Sequence, residues 1–427
     1  AMANNATVNL NGTKAGSTIE TGKDGALVAL NGGTVNYAGG TIIHQEHESK
    51  DHDTSTPFTA DSSSKINFTG DTLLKIANGI LMPGTGADYE GTTTVATAKY
   101  HGMQNVDVEL TGDNVILSSH DGHPDFHWTG GTIGNLVQNS MKVRSFNDGG
   151  HSYKIYYTNG SFFIDTNVDL DSTSDVFNKF GLSREKVTIS PGVTVSSATG
   201  KGLALGSNKH AMTNMDSGYT NKGTINITGG TPTGTTAINT SYGYLDNQSA
   251  INMDNGIAAY GVNGSKFTNN STGTINITNG GVGMAAFASA STGRLLYGTD
   301  AKISAGSLLA TDKVLELDNK GTITVAGNQS IGLYGETNEL PGGLSSLSAS
   351  NGSITNTGKI TMTGDAAVGI LAKRATVNLG GTGSSDIVVG KKGIGVYAEK
   401  SPVTINSNYG IEVKDGGTGV FIKNDGS

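Results

Sequence analysis

SITNTGKITMTGDAAVGILAK (353–373), SSDIVVGKKGIGVYAEK (384–400) and NSNYGIEVKDGGTGVFIK (406–423) are three versions of one short unit. Each holds an alternating apolar pair: Ile360 and Met362, Ile387 and Val389, Ile411 and Val413. Six or seven residues on, each has a glycine inside an apolar run, at Gly369, Gly395 and Gly419. The steps are 395 − 369 = 26 and 419 − 395 = 24 residues. Short strands recurring at such a period mark a solenoid.

Alternation turns one face of each strand inward. A single unit cannot bury that face alone, so units must stack, strand upon equivalent strand, in parallel. Gly and Asn-Gly clusters between the runs supply the corners. The expected fold is all-β, a right-handed parallel β-helix with protruding loops and a small inserted subdomain.

Working outward, Thr224-Ile225-Asn226-Ile227 and Thr274-Ile275-Asn276-Ile277 are near copies two coils apart, with 257–261 read as the coil between them. Ile225, Ile227, Ile275, Ile277, Ile323, Val325, Ile360, Ile387 and Ile411 are expected in one interior column. Asn and Thr are expected to decorate the outside. The stretch 336–351 reads as a loop that lengthens one coil. At the N-terminus, Thr7-Val8-Asn9-Leu10 matches Thr34-Val35-Asn36-Tyr37 one coil later. These patterns divide the chain into coils over 4–117 with a long loop at 42–64, a distorted or inserted subdomain over 118–190, and regular coils over 191–427. Within 118–190 a hairpin about Thr158-Asn159-Gly160 and a short helix over 172–181 are expected.

Composition narrows the function classes. Of 427 residues, 64 are glycine and 15% are charged, below the usual quarter or so. No basic patch interleaves with aromatics, which argues against nucleic acid as a partner. There is no cysteine, as expected of a chain that crosses an outer membrane unfolded. No apolar run reaches the ~20 residues of a membrane span, and no signal peptide is visible. Ala1-Met2-Ala3 reads as an expression scar on an excised piece.

The runs IGLYG (331–335), VGILA (368–372), IGVYA (394–398) and TGVFI (418–422), with SREKVTISPGVTVSSATGKGLALGS (183–207), resemble the passenger repeats of Gram-negative type V autotransporters. The likeness is greatest to the very large fusobacterial outer-membrane adhesins of the arginine-inhibitable and galactose-binding kinds. It implies a monomeric passenger displayed at the cell surface, anchored in the outer membrane by a C-terminal barrel absent here. The implied partners are host-cell proteins, glycans or other bacteria. No binding residue carries over from the resemblance.

Three clusters are candidates for chemistry. His44, His47, His52 and Asp53 have metal-like spacing but sit in the expected loop. Asp165, Asn167, Asp169 and Asp171 mimic the start of a calcium loop. Leu170 stands where that loop needs glycine, and a strand with Ile164, Val168 and Leu170 inward explains the pattern better. The third lies around the only tryptophan. His123, Asp125, Phe126 and Trp128, with Arg144, offer an aromatic face and hydrogen-bonding groups such as sugars require, and Trp128 is equally suited to a core. No catalytic set, metal or cofactor is expected. The reading is a binding segment, against a polysaccharide-acting enzyme or a plain structural stalk.

Overall fold

The structure, a computed structural model, describes residues 1–13, 16–21, 27–44, 58–80, 100–102, 105–116, 125–128, 146–148, 151–153, 161–171, 186–206, 218–232, 234–288, 315–337, 352–381 and 386–424. Strands are the only regular elements among them. The ladders are parallel except for one antiparallel pair, Phe146–Asp148 with His151–Tyr153. The chain is a parallel β-helix in two compact units. One is Ala1–Thr166 with Thr173–Lys179 and Arg184–Val187; the other is Asn167–Ser172, Phe180–Ser183 and Thr188–Ser427.

In the first unit, Met2–Asn4, Leu27–Leu30 and Phe58–Ala60 form one ladder. Thr7–Leu10, Thr34–Tyr37, Lys65–Phe68 and Tyr100–His101 form a second. Thr18–Thr21, Gly40–His44, Thr72–Ile80, Val106–Ile116, Asp125–Trp128 and Ser161–Ile164 form a third. The loop expected at 42–64 is therefore narrower. Gly40–His44 and Phe58–Ala60 are rungs, and only 45–57 separates them. Within 118–190, Asp125–Trp128 and Ser161–Ile164 are also ordinary rungs of the third ladder. The hairpin turn at 158–160 and the helix over 172–181 lie outside the described residues.

Each full coil of the second unit has three strands. The first sheet runs from Val168–Asp169 through Thr194–Ser197, Thr224–Ile227, Ala250–Met253, Thr274–Ile277, Thr322–Val325, Lys359–Met362 and Ile387–Lys391 to Ile411–Lys414. Its inward residues make two columns rather than the expected one. Val195, Ile225, Ile251, Ile275, Ile323, Ile360, Ile387 and Ile411 lie in register in one. Ile227, Met253, Ile277, Val325, Met362, Val389 and Val413 lie in the other. Those of the first column from Val195 to Ile387 are fully buried, each contributing about 1.5–3 kcal/mol of apolar transfer. The rung between the two near copies is Ala250–Met253; Ile257 to Gly261 belong to the next strand of the same coil. On the outside, the Asn252 amide donates to Asn226 at 2.9 Å and the Asn276 amide to Asn252 at 3.0 Å.

The second sheet contains Gly281–Ala288, Ile331–Thr337, Val368–Lys373, Ile394–Glu399 and Thr418–Lys423. The glycines that set the sequence period stack here against the first sheet. A Cβ on Gly369 would lie 2.5 Å from the Gly395 carbonyl oxygen and 2.7 Å from Ile387 Cγ2. A Cβ on Gly395 would lie 2.5 Å from both the Gly419 oxygen and Ile411 Cγ2. One on Gly419 would meet nothing within 4 Å. No side chain fits where the next coil presses this closely.

The third sheet contains Gly218–Asn221, Leu315–Asn319, Gly352–Asn356, Thr376–Leu379 and Val403–Ile405. Between its first and second members, the latter halves of Thr236–Asn247 and Gly256–Asn269 supply two further rungs. The rungs from Gly218–Asn221 to Gly352–Asn356 end in asparagine. Asn221, Asn247, Asn269, Asn319 and Asn356 are fully buried, against the expectation that asparagine lies outside. Burial is tolerated because each amide finds its successor. Asn221 Nδ2 donates to Asn247 Oδ1 at 2.8 Å, Asn247 to Asn269 at 2.7 Å, Asn269 to Asn319 at 2.8 Å and Asn319 to Asn356 at 2.6 Å. Asn356 Nδ2 donates to the Tyr409 hydroxyl. An unpaired buried amide would cost about 1–3 kcal/mol.

A carboxylate clamps one corner. Asp171 accepts from the Thr199 and Ser197 hydroxyls and from the Ala198 N–H. These bonds, the Thr199 hydroxyl first, hold its carboxyl below the usual range. A depressed folded-state pKa gives stability that is present above the ordinary carboxylate value and lost as pH falls below it.

Two outcomes are expected. Gly395→Ala destabilises by roughly 1–3 kcal/mol through overpacking, whereas Gly419→Ala leaves the denaturant midpoint nearly unchanged; equal effects would refute the glycine column. The midpoint of the wild type falls as pH drops below about 4, and Asp171→Asn flattens that fall; an Asp171→Asn variant with the wild-type acid profile rules the clamp out as a source of it.

Candidate functional site

The residues around Trp128 are placed by the third ladder of the first unit. Val-Asp-Val-Glu-Leu (106–110) alternates apolar and acidic residues, which makes it a strand with one face for each. It pairs in parallel with Asp125–Trp128: Asp107 with Asp125, Val108 with Phe126, Glu109 with His127 and Leu110 with Trp128. On one flank Leu74 aligns with Val108 and Lys75 with Glu109. On the other, Phe162 aligns with Phe126, Phe163 with His127 and Ile164 with Trp128. Leu74 and Ile164 are fully buried. The register thus gives Phe126 and Trp128 the columns that hold Leu74 and Ile164. Asp125 belongs to the alternate set, with Asp107, Glu109 and His127.

So three of the five candidates, Asp125, Phe126 and Trp128, share one strand, divided between its two sets of positions. His123 and Arg144 lie outside the described residues. Asp107 and Glu109 carry no signal of their own in the sequence. Only the register, across a gap of 125 − 107 = 18 residues, sets them beside Asp125 and His127. The register thus sets Asp, Asp, Glu and His positions in a 2 × 2 array on two adjacent rungs.

The other clusters fare differently. His44 is the last residue of a rung rather than part of a loop. It is fully buried, with Nδ1 3.2 Å from the Thr21 hydroxyl. His47, His52 and Asp53 lie outside the described residues. Asp165 and Asp169 are exposed while Ile164, Val168 and Leu170 are buried, as an alternating strand requires. Among the described residues no group of three His, Asp or Glu side chains is placed to hold a metal ion.

In the second unit the outward faces differ in chemistry. The first sheet shows Thr and Asn. The second shows an aromatic row. Tyr260 and Phe287 have ring centroids 5.6 Å apart, Phe287 and Tyr334 4.9 Å, and Tyr397 stacks on Phe421 at 5.3 Å. The Tyr334 hydroxyl donates to Glu336, and Lys373 Nζ lies 5.9 Å from the Tyr334 ring centroid. Burial, reinforced by Glu336, pushes the Tyr334 hydroxyl above its ordinary pKa. Only Tyr397 and Phe421 stack, at 18° between planes; Tyr260 meets Phe287 at a tilt and Phe287 meets Tyr334 edge to face.

Compared with known proteins, the chain matches no family model, no curated protein and no solved structure.

The register at Asp125–Trp128 has a direct test, because the chain contains no cysteine. Neighbouring rungs hold paired Cα atoms within the span a disulfide bridges. Asp107→Cys with Asp125→Cys should oxidise to an intrachain disulfide, visible as a gel shift on reduction. Asp107→Cys with Phe126→Cys should not. Crosslinking of the second pair but not the first would move the strand by one residue.

Proposed function

We propose that the chain is a segment of a surface-displayed adhesin, which binds host-cell proteins, glycans or neighbouring bacteria and performs no catalysis. The resemblance of its repeats to autotransporter passengers supports this reading. So does a stiff β-helix, whose coils each rest on their neighbours.

The observation that carries it is where the ladders of the second unit are interrupted. Residues 207–217 fall between Leu203–Gly206 and Gly218–Asn221. Residues 289–314 fall between Gly281–Ala288 and Leu315–Asn319, and 338–351 between Ile331–Thr337 and Gly352–Asn356. All three leave the second sheet and re-enter at the third. The same corner is crossed directly between Val368–Lys373 and Thr376–Leu379. Ala288 pairs with Thr337 and Leu315 with Gly352, so the two longest interruptions start and finish side by side. A regular scaffold whose coils differ in length at one corner is suited to carrying recognition segments there.

A second reading, a polysaccharide-acting enzyme, draws on the Asp107–Asp125 and Glu109–His127 pairings. Glycoside hydrolysis uses paired carboxylates across the scissile bond. Reducing-sugar release from a polysaccharide panel, lost in Asp125→Asn, would favour it over the adhesin.

The adhesin reading predicts that the purified chain binds a component of a glycan array, a host-cell surface or a partner bacterium. Replacing 289–314 and 338–351 by the Arg374-Ala375 corner should abolish that binding and leave the melting curve in place. If the site is instead at the tryptophan, Trp128→Ala alone should weaken binding by roughly 1–3 kcal/mol. Binding to none of these surfaces would discard the adhesin and leave a structural stalk.

A further inference from the structure

The outward face of the second sheet in the second unit carries more than the aromatic row. Glu336, Lys373, Glu399 and Lys423 are register partners on four successive coils. Their charges alternate along the stack. Beside them runs a second outward column, Tyr334, Leu371, Tyr397 and Phe421. Beyond it lie Ile331, Val368 and Ile394, half-buried. The outward positions of the first sheet are mostly polar, including Thr224, Asn226, Thr274, Asn276, Thr322, Thr324 and Lys359, with Ala250 and Val388 the apolar exceptions. Those of the third are polar too, including Lys266, Glu316 and Asp318. One outer face of three is therefore apolar with a charged border, and apolar faces of that kind mark interaction surfaces.

Within one chain the border pairs in twos and stays partly exposed. Lys373 lies 3.7 Å from Glu336, and Lys423 lies 3.1 Å from Glu399. The side chains keep 22%, 37%, 23% and 48% of their surface exposed, in the order Glu336, Lys373, Glu399, Lys423. Exposed pairs of this sort are worth little to the fold, yet the order of their signs has a symmetry property.

We propose that this face binds a second copy of the same chain, packed antiparallel. Consider a two-fold axis in the plane between two such faces, along the strand direction, midway between the Lys373 and Glu399 rungs. It keeps each residue's position along the strand and reverses the order of the rungs. The column Glu-Lys-Glu-Lys then lies over Lys-Glu-Lys-Glu. Glu336 meets the partner's Lys423, and Lys373 meets the partner's Glu399. The same operation sets Leu371 over the partner's Tyr397 and Tyr334 over the partner's Phe421. A parallel arrangement with matched rungs would set like charge on like. Alternation over an even number of coils is thus self-complementary in one sense only, as an isologous interface demands. Four rungs make a small patch, so the association is weak and reversible. This replaces the monomer expected from the sequence with a concentration-dependent pair, and it stands whether or not the chain is displayed on a cell.

Sedimentation velocity over micromolar to submillimolar concentrations tests the proposal. The wild type should shift from monomer toward dimer, less so in high salt. Lys373→Glu with Lys423→Glu makes the column wholly acidic and should sediment as monomer throughout. The quadruple variant E336K/K373E/E399K/K423E restores alternation in the opposite phase. It should pair with itself, and fluorescently labelled wild type should not co-sediment with it. Melting curves check that each variant is folded. If the acidic variant does not fold, the mixing experiment decides. A wild type that stays monomeric overturns the proposal. So does an acidic, folded variant that still pairs, or a quadruple variant that pairs with wild type.

Discussion

In-register parallel pairing governs this molecule. Among the described residues of the parallel ladders, each strand pairs with the equivalent strands of the coils before and after it, nearly residue for residue. Each side chain therefore faces its counterpart one turn on, and any preference for like or unlike neighbours is multiplied along the stack. Isoleucine meets isoleucine in the first sheet, where shape and apolarity reward identity. Glycine meets glycine in the second, because the Gly419 oxygen already occupies the space a Cβ on Gly395 would need. Like signs in register repel, and the Glu336-to-Lys423 column alternates, whereas Asp107 beside Asp125 and Lys391 beside Lys414 pair like with like.

This rule explains what the sequence reveals and what it hides. The isoleucine columns are legible because inward positions repeat the same residue class at the same phase, as at Ile225 and Ile275. The glycine column is legible because the close approach of the next coil holds glycine at one phase from Gly283 to Gly395, with Ala237 and Ala258 at the same position in the coils before. The buried asparagines are not. Asparagine beside Gly, as in the Asn356-Thr357-Gly358 corner, looks like an ordinary turn residue, and only the stack shows that its amide is enclosed. The signal was present as Asn followed within four residues by Gly and an apolar residue, at 221, 319 and 356. Local reading assigns that pattern to turn chemistry alone.

Interruptions obscure the register in the same way. Gly40–His44 and Phe58–Ala60 are rungs, but the charged stretch between them masks the alternation on both sides. Asp125–Trp128 alternates as its neighbour does, but over only four residues and inside a turn-rich stretch, so the alternation does not stand out. Its place beside Val106–Ile116 comes from pairing across the chain. The grouping of Asp107, Glu109, Asp125 and His127 is a property of that pairing, and no spacing within either segment encodes it.

The asparagines have one more consequence. In the inner ladder each amide donates toward the C-terminal coil, from Asn221 to Asn356. In the outer ladder each donates the other way, from Asn276 through Asn252 to Asn226. Each row is a string of aligned bond dipoles, and aligned hydrogen bonds polarise one another. Over the coils they share, the two strings point in opposite directions and their fields largely cancel. Beyond Asn276 the outer row passes to threonine, at Thr324 and Thr361. The inner row continues alone through Asn319 and Asn356, so the later coils carry an uncompensated axial polarity that the earlier ones do not.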